Sequence, residues 1–226
     1  MLLMRLRRET ADLHAAVERR LDVMDPRLSA GRYVGTLATF YGFHAAWEAA
    51  VRSAAGPARL DLPAVLDLMS SRWREPSLRA DLAHFAVDPD AVEPCDDLPP
   101  VDRPGRLLGS LYVMEGSTLG GQVVARHLGR ALGLADGVGY AYFRGHGDQT
   151  GRRWREFAAR LAELAAGLPE DDVVAGARDT FAALGRWFDC RAGVAAATAD
   201  QTPTGRNATD QIATDQTPAG VAEVAR

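Results

Sequence analysis

The chain has 226 residues, of which 47% are hydrophobic and 25% are charged, a composition typical of a single soluble globular domain. The formal net charge of −4 argues against general nucleic-acid binding, and two cysteines indicate neither a disulfide framework nor a zinc site. No apolar run approaches the roughly 20 residues that a membrane helix needs. We therefore expect a cytoplasmic protein that binds neither nucleic acid nor a membrane.

Hydrophobic spacing predicts helices along most of the chain, over residues 4–22, 30–53, 63–70, 76–86, 104–132, 150–167 and 169–191. Residues 87–105 are rich in proline and residues 133–147 in glycine and tyrosine, which predicts a loop and an irregular segment. No segment shows a convincing strand pattern. The predicted fold class is all-α, a single-domain helical bundle.

The last part of the chain differs from the rest in amino-acid composition. From residue 192 to residue 226 short stretches of Ala, Thr, Asp, Gln and Pro recur, with few large apolar side chains. Such a segment cannot bury enough surface to order itself. We therefore predict a folded domain at residues 1–191 and a disordered tail at residues 192–226.

The predicted helix at 104–132 contains three interior glycines, Gly116, Gly120 and Gly121. Each costs roughly 1 kcal/mol relative to alanine, so the cluster needs a compensating reason. Gly116 and Gly120 are four residues apart and share one face of a straight helix. Two explanations remain open: another helix packs closely there, or a large flat ligand lies against the bare backbone.

The first helix carries His14 and Glu18 four residues apart, so their side chains are neighbours on its surface. Arg7 precedes His14 by two turns and lies on nearly the same face. A surface histidine would show the same spacing, so the pattern alone leaves the role of His14 open. His44 and Glu48 repeat the spacing on the second helix.

The helix at 150–167 adds a group of cations, Arg152, Arg153, Arg155 and Arg160. A planar ligand between the first helix and the glycine helix, with its anionic groups held by arginines, would account for the histidine–glutamate pair, the interior glycines and the group of arginines. Heme fits this outline, because a neutral imidazole is a good ligand for heme iron. A carboxylate beside the other ring nitrogen would fix the tautomer.

These residues carry a family resemblance. The stretch from Leu6 to Glu18 resembles the proximal-helix motif of heme oxygenases, and Gly116-Ser-Thr-Leu-Gly-Gly-Gln-Val resembles their distal helix. The similarity extends to about Asp189. Tyr140-Ala-Tyr-Phe-Arg-Gly-His-Gly and Trp154-Arg-Glu-Phe look closer to the bacterial enzymes that make biliverdin for bacteriophytochromes. The resemblance implies a heme-oxygenase-like helical domain.

The resemblance also implies roles for residues on the proximal side. It identifies His14 as the axial ligand of the heme iron and Glu18 as the partner of that histidine. Arg7 stands where mammalian enzymes have a lysine near a heme propionate. The arginine that faces a propionate is expected between residues 152 and 160, and we assign Arg155 to this role.

On the distal side, the resemblance implies that Gly116, Gly120 and Gly121 contact heme and that Gly116, Ser117 and Gly120 form the catalytic surface. Ser117 replaces an aspartate that supports a water network in the mammalian enzymes. Serine is shorter and neutral, but its hydroxyl both donates and accepts hydrogen bonds. His44 replaces the usual tyrosine of the second helix and can restore a polar contact.

The implied activity is the oxidative opening of heme, which is substrate and cofactor, to biliverdin, CO and ferrous iron. O2 is the co-substrate. Electrons come from an external donor such as ferredoxin or another reductase, because the chain shows no reductase motif. The similarity to the bacterial enzymes further implies that the biliverdin serves a bacteriophytochrome.

Four alternatives stay open. The chain could be a non-catalytic heme-binding or heme-sequestering protein of the same fold, with Ser117 marking lost chemistry. His146 is a competing iron ligand. Related helical folds include thiamin-degrading enzymes and di-iron oxidases, although no Glu-x-x-His motif typical of di-iron bundles occurs. The last alternative is a purely structural bundle that binds no heme.

Overall fold

The computed structural model describes residues 1–53 and 62–200 of the chain. Within these ranges there is no β-strand, so the predicted all-α class is confirmed. The helices are α1 Leu2–Glu9, α2 Ala11–Leu21, α3 Ala30–Ser53, α4 Leu62–Met69, α5 Glu75–His84, α6 Pro104–Gly116, α7 Thr118–Ala131, α8 Ala141–Arg144, α9 Thr150–Leu164 and α10 Glu170–Asp200, with 3₁₀ turns at Pro89–Ala91 and Gly147–Gln149.

The predicted first helix is two helices, α1 and α2, which meet at Thr10. This residue has φ −116° and ψ 0°, outside the helical range. Its hydroxyl donates to the carbonyl of Leu6 at 2.8 Å, a local bond that competes with the helical pattern. The prediction of one continuous helix is wrong, and Arg7 and His14 therefore lie on different helices.

The predicted glycine helix at 104–132 is also two helices, with Ser117 between α6 and α7. The Ser117 hydroxyl donates to the carbonyl of Met114 at 2.8 Å, and the Thr118 hydroxyl donates to that of Glu115 at 2.7 Å. Side-chain bonds of this kind to carbonyls one turn back are associated with bends in helices. The break lies inside the glycine cluster, between Gly116 and Gly120.

Two further boundaries differ from the prediction. The short helix α8 lies within the segment predicted to be irregular, because the Asp81 carboxylate accepts from the backbone N–H groups of Ala141 and Tyr142, both at 2.8 Å. Helix α10 continues to Asp200, so the predicted domain end at residue 191 lies inside it. Residues 201–226 of the predicted tail lie outside the described residues.

Helix α10 is the central element, because α6 packs along it and α2 and α3 also contact it. Glycines let the backbones of α6 and α10 touch. A Cβ atom on Gly109 would collide with the carbonyl of Val173, and one on Gly176 would collide with the backbone of Arg106. Since α2 and α6 both pack on α10, this helix sets the spacing between the first and second halves of the predicted site.

The core is built from large side chains that are almost fully buried, and the largest are Trp47, Tyr33, Phe43 and Phe157. Trp47 donates its indole N–H to the Ser110 hydroxyl at 2.8 Å, so its one polar group is satisfied in the interior. Across residues 1–53 and 62–200, no helix combines the length and the apolar composition that crossing a bilayer requires.

Candidate active site

His14 on α2 has an accessible imidazole, with 51% of its side chain exposed. The ring lies edge-on to Phe181 of α10, with centroids 5.7 Å apart. Its Nδ1 is 3.6 Å from Oε2 of Glu18, which is longer than a hydrogen bond but places the carboxylate on the Nδ1 side of the ring. Nε2 is then the ring nitrogen that has no carboxylate beside it and is suited to bind a metal.

His146, the competing ligand, lies in the interior. Its side chain is 11% exposed, and Nε2 is 3.6 Å from a carboxylate oxygen of Glu115. Glu115 is itself buried and forms an ion pair with Arg72. The geometry therefore favours His14 over His146, because a bound metal at His146 would have to displace part of a buried charge cluster.

The three glycines of the distal motif have different surroundings. A Cβ atom on Gly121 would collide with the carbonyl oxygen of Phe143 on α8, so close packing explains this glycine. A Cβ atom on Gly116 would lie 3.6 Å from the Trp154 ring, an ordinary contact. One on Gly120 would meet no atom of the described residues within 4 Å. Packing therefore leaves Gly120 unexplained.

Two apolar side chains flank Gly120 in an exposed position. Leu119 is 46% exposed and Val123 is 54% exposed, one turn apart on α7. We call Leu119, Gly120 and Val123 the open face. Contiguous exposed apolar surface of this kind marks a binding site more often than scattered single residues do. Leu119 and Val123 were not predicted as site residues, although their spacing around a glycine was visible in the sequence.

Tyr112 on α6 lies within the electrostatic influence of Arg7. Burial raises the pKa of the Tyr112 phenol, and the charge of Arg7 opposes that shift. The Tyr112 and Trp154 rings have centroids 5.7 Å apart, and Trp154 covers Gly116. Tyr112, Trp154 and Gly116 thus form one surface from α6 and α9.

Arg155 differs from the other arginines of α9. Arg152 pairs with Glu156 at 2.9 Å, Arg160 pairs with Glu163 at 2.7 Å, and Arg153 donates to the Ser71 hydroxyl at 2.5 Å. The exposed guanidinium of Arg155 has no carboxylate partner in the part of the chain that the structure describes. Of the four, it is the cation most available to an anionic ligand.

Tyr142, His44 and Glu48 form a buried polar chain. The Tyr142 hydroxyl is 3.1 Å from Nε2 of His44, whose side chain is 2% exposed. The opposite ring nitrogen, Nδ1, is 3.7 Å from Oε1 of Glu48. Burial raises the pKa of Tyr142, while the charge of Arg74 acts against the rise.

Glu48 is the fixed inner end of this chain. Its carboxylate accepts from the backbone N–H groups of Arg74 at 2.7 Å and Glu75 at 3.0 Å, where α5 begins, and from Arg52 at 3.1 Å. Burial acts to raise the pKa of Glu48, but the nearby imidazole and these backbone bonds outweigh it and hold the pKa below its usual value. Burial lowers the pKa of His44, so its imidazole is neutral.

Comparison with known proteins identifies a family. The profile of the family described as "Heme oxygenase" matches residues 1–190. A heme oxygenase of Xanthomonas campestris pv. campestris (strain 8004) is 37% identical over 124 residues, which are 52% of this chain and 71% of that protein.

Three solved structures share the fold. The heme oxygenase of Neisseria meningitidis, determined with NO and CO bound, has a TM-score of 0.69 at 23% identity, covering 85% of this chain and 92% of that chain. The Leptospira interrogans enzyme has a TM-score of 0.68 at 22% identity, covering 83% and 98%. Heme oxygenase-1 of Synechocystis sp. PCC6803, in complex with heme, has a TM-score of 0.62 at 18% identity, covering 88% and 96%.

Proposed function

Because this chain belongs to the heme oxygenase family, we propose that it opens heme to biliverdin, CO and ferrous iron, using O2 and electrons from an external donor. The observation that carries the proposal is Gly120. Its missing side chain serves no packing within the described residues, and it lies in the exposed apolar surface formed with Leu119 and Val123. A flat apolar ligand that covered this surface would account for all three residues.

Heme would lie between α2 and α7, with contacts from both helices. His14 would bind the iron through Nε2, with Glu18 beside Nδ1 to favour the proton on that nitrogen. Gly120 would let the α7 backbone approach the other face of the ring. The guanidinium groups of Arg7 and Arg155, which are free of carboxylate partners among the described residues, would hold the propionates.

Bound heme would supply the iron that reacts with O2 and the ring carbon that is oxidised. The protein contributes ligation by a neutral imidazole, which does not push electrons toward O–O cleavage as a thiolate does. Leu119 and Val123 would limit where a ligand on the iron could point, because both are exposed next to Gly120 on α7. The Ser117 hydroxyl, exposed at the start of α7, would hold a water molecule beside that ligand.

The proposal also covers the electron donor and the use of the product. The chain shows no reductase motif, so we propose a ferredoxin or another reductase as the donor. The similarity of the segment around Tyr140 to enzymes that serve bacteriophytochromes supports such a receptor as the user of biliverdin.

A non-catalytic heme-binding protein is the second candidate. The observation that favours it is Ser117, a neutral residue where the mammalian enzymes have an aspartate. The two candidates share the heme site and differ in whether the bound heme is consumed once a reductant and O2 are supplied.

One experiment distinguishes them. The protein is titrated with hemin without oxygen, and spectra are then recorded as reductant and air are added. We expect binding of one heme, loss of the heme absorption, appearance of the biliverdin spectrum and release of CO. Stoichiometric binding without biliverdin would establish the second candidate, and failure to bind heme would favour a structural bundle.

A further inference from the structure

Helix α8 is four residues long, packs against α5, and is the main neighbour of α7 among the described residues. Glycines with positive φ stand on both sides of it, Gly139 at 76° and Gly145 at 59°. So short a helix is not stable alone, and the glycines leave the backbone free to turn at each end. The position of α8 therefore depends on the contacts that it makes with its neighbours.

On the α5 side, those contacts are buried hydrogen bonds to the backbone of α8. Asp81 is 1% exposed, and its carboxylate accepts from the N–H groups of Ala141 and Tyr142, both at 2.8 Å. The buried guanidinium of Arg74, which immediately precedes α5, donates to the carbonyl of Tyr142. Because these bonds are made to main-chain groups, they hold the start of the helix itself and not only one of its side chains.

On the α7 side, two consecutive residues contact the backbone of α8 and of the loop after it. The carbonyl of Phe143 lies against Gly121 so closely that a Cβ atom would collide with it. The side-chain amide of Gln122 donates to the carbonyl of Gly147. Gly120, which belongs to the open face, directly precedes these two residues. A movement of α8 would therefore be passed to the open face.

The charge of Asp81 fits this holding role better than it fits packing. Burying a carboxylate costs several kcal/mol, which an apolar side chain would avoid. Its two oxygens serve two N–H groups that have no earlier turn of helix to bond to. An asparagine would offer one acceptor oxygen and turn an NH2 donor toward the other N–H group. A carboxylate is thus the group that this position requires.

We infer that Asp81 is a positioning residue, which sets the place of the open face through α8. Its hydrogen bonds fix the start of α8, and the carbonyl of Phe143 then fixes α7 at Gly121, one residue from Gly120. The inference rests on the proposed function, because it assumes that the open face meets heme. Asp81 acts on that ligand only through the two helices.

The test uses two substitutions in the full-length protein, Asp81→Asn and Gln122→Met. Asp81→Asn keeps the shape of the side chain and removes one acceptor. Gln122→Met keeps the length and removes the donor to Gly147, so it tests the α7 side without disturbing the buried carboxylate. Asp25→Asn is the matched control, because the Asp25 side chain is 12% exposed and accepts from the backbone N–H of Arg27 at 2.8 Å, in the turn before α3.

The first readout, amide hydrogen exchange, needs no heme. Asp81→Asn should raise the exchange rates of residues 122–131 about 10-fold or more relative to those of α10, because a hydrogen bond to a buried charge is lost. Gln122→Met should have a smaller effect in the same direction, and Asp25→Asn should leave the ratio unchanged. Equal acceleration in α7 and α10 would show a general loss of stability and overturn the inference, as would unchanged exchange in α7.

The second readout is the C–O stretching band of the complex with ferrous heme and CO, which senses the surroundings of the ligand on the iron. Asp81→Asn and Gln122→Met should shift the band in the same direction, because both release α7 from α8. Asp25→Asn should not shift it. An unshifted band in both test variants, with heme bound, would show that α8 does not set the open face over the ligand.

The rate of biliverdin formation completes the test. Asp81→Asn should lower kcat about 10-fold and change heme affinity less than about 3-fold, since the proposed iron ligand and the arginines lie on other helices. A fall in affinity as large as the fall in kcat would indicate a generally disturbed site and contradict the inference. A wild-type protein that forms no biliverdin would instead defeat the proposed function, and hydrogen exchange would still decide whether Asp81 holds α7 through α8.

Discussion

Gly121 lies directly against the carbonyl oxygen of Phe143, where no Cβ atom fits. This contact joins α7 to α8 and gives the glycine a packing role. A Cβ atom on the preceding residue, Gly120, would meet no atom of the described residues within 4 Å. The two adjacent glycines therefore have different explanations: Gly121 packs against α8, and Gly120 belongs to the proposed ligand surface.

Substituting each glycine by alanine should separate these roles. Gly121→Ala should lower the free energy of unfolding by about 1–3 kcal/mol, because the backbone must move to admit the methyl group. Gly120→Ala should raise it by up to about 1 kcal/mol, the gain in helix propensity, and should weaken heme binding. Urea unfolding of the heme-free proteins and heme titration measure both effects. Wild-type heme affinity in Gly120→Ala would remove Gly120 from the site.

The helices could be predicted because their apolar spacing is a local property. The two breaks could not, since Thr10 and Ser117 interrupt their helices through hydroxyl bonds to carbonyls one turn back. Serine and threonine occur inside many continuous helices, so their presence does not mark a break.

The contacts at the site also differ in whether the sequence could predict them. His14 and Glu18 are four residues apart, and this proximity follows from helical geometry alone. The contact between His44 and Tyr142 joins residues 98 positions apart, from α3 and α8, and it exists only because Asp81 holds the start of α8. Nothing in the local sequence around Tyr142 indicates this partner.

His14→Ala should abolish the spectrum of heme bound through a neutral imidazole, because the substitution removes the proposed iron ligand. Glu18→Gln keeps the side-chain length and removes the charge beside Nδ1. It should weaken heme binding by up to about 100-fold while retaining the spectrum. His84→Ala is the control, since His84 is an exposed histidine on α5. An unchanged imidazole spectrum in His14→Ala would mean that another histidine binds the iron.

Arg155→Gln should weaken heme binding by about 2–5-fold, the effect of one exposed ion pair of up to about 1 kcal/mol. The difference should shrink at high salt, because exposed charges are screened. Arg160→Gln provides the control, since Arg160 is exposed on the same helix but already paired with Glu163. Equal affinities for the two variants would show that Arg155 does not hold a propionate.

The buried histidine should make stability depend on pH. Burial lowers the pKa of His44 below its ordinary value of 6.5, so the unfolded chain takes up a proton at a pH where the folded protein does not. Stability is therefore lost as the pH falls below 6.5, by up to about 1.4 kcal/mol per pH unit. Tyr142, Glu48 and Arg74 face this imidazole, and the Glu48 carboxylate, whose pKa is lowered, stays ionised across this window.

Asp81 has the opposite effect on stability. Burial raises its pKa, so its carboxylate takes up a proton at a higher pH in the folded protein than in the unfolded chain. The comparison of wild type with His44→Gln isolates the histidine, since both proteins retain Asp81. Urea unfolding between about pH 7.5 and about pH 5 should give a steeper loss of stability for the wild type than for the variant. Parallel pH profiles would show that folding does not lower the pKa of His44.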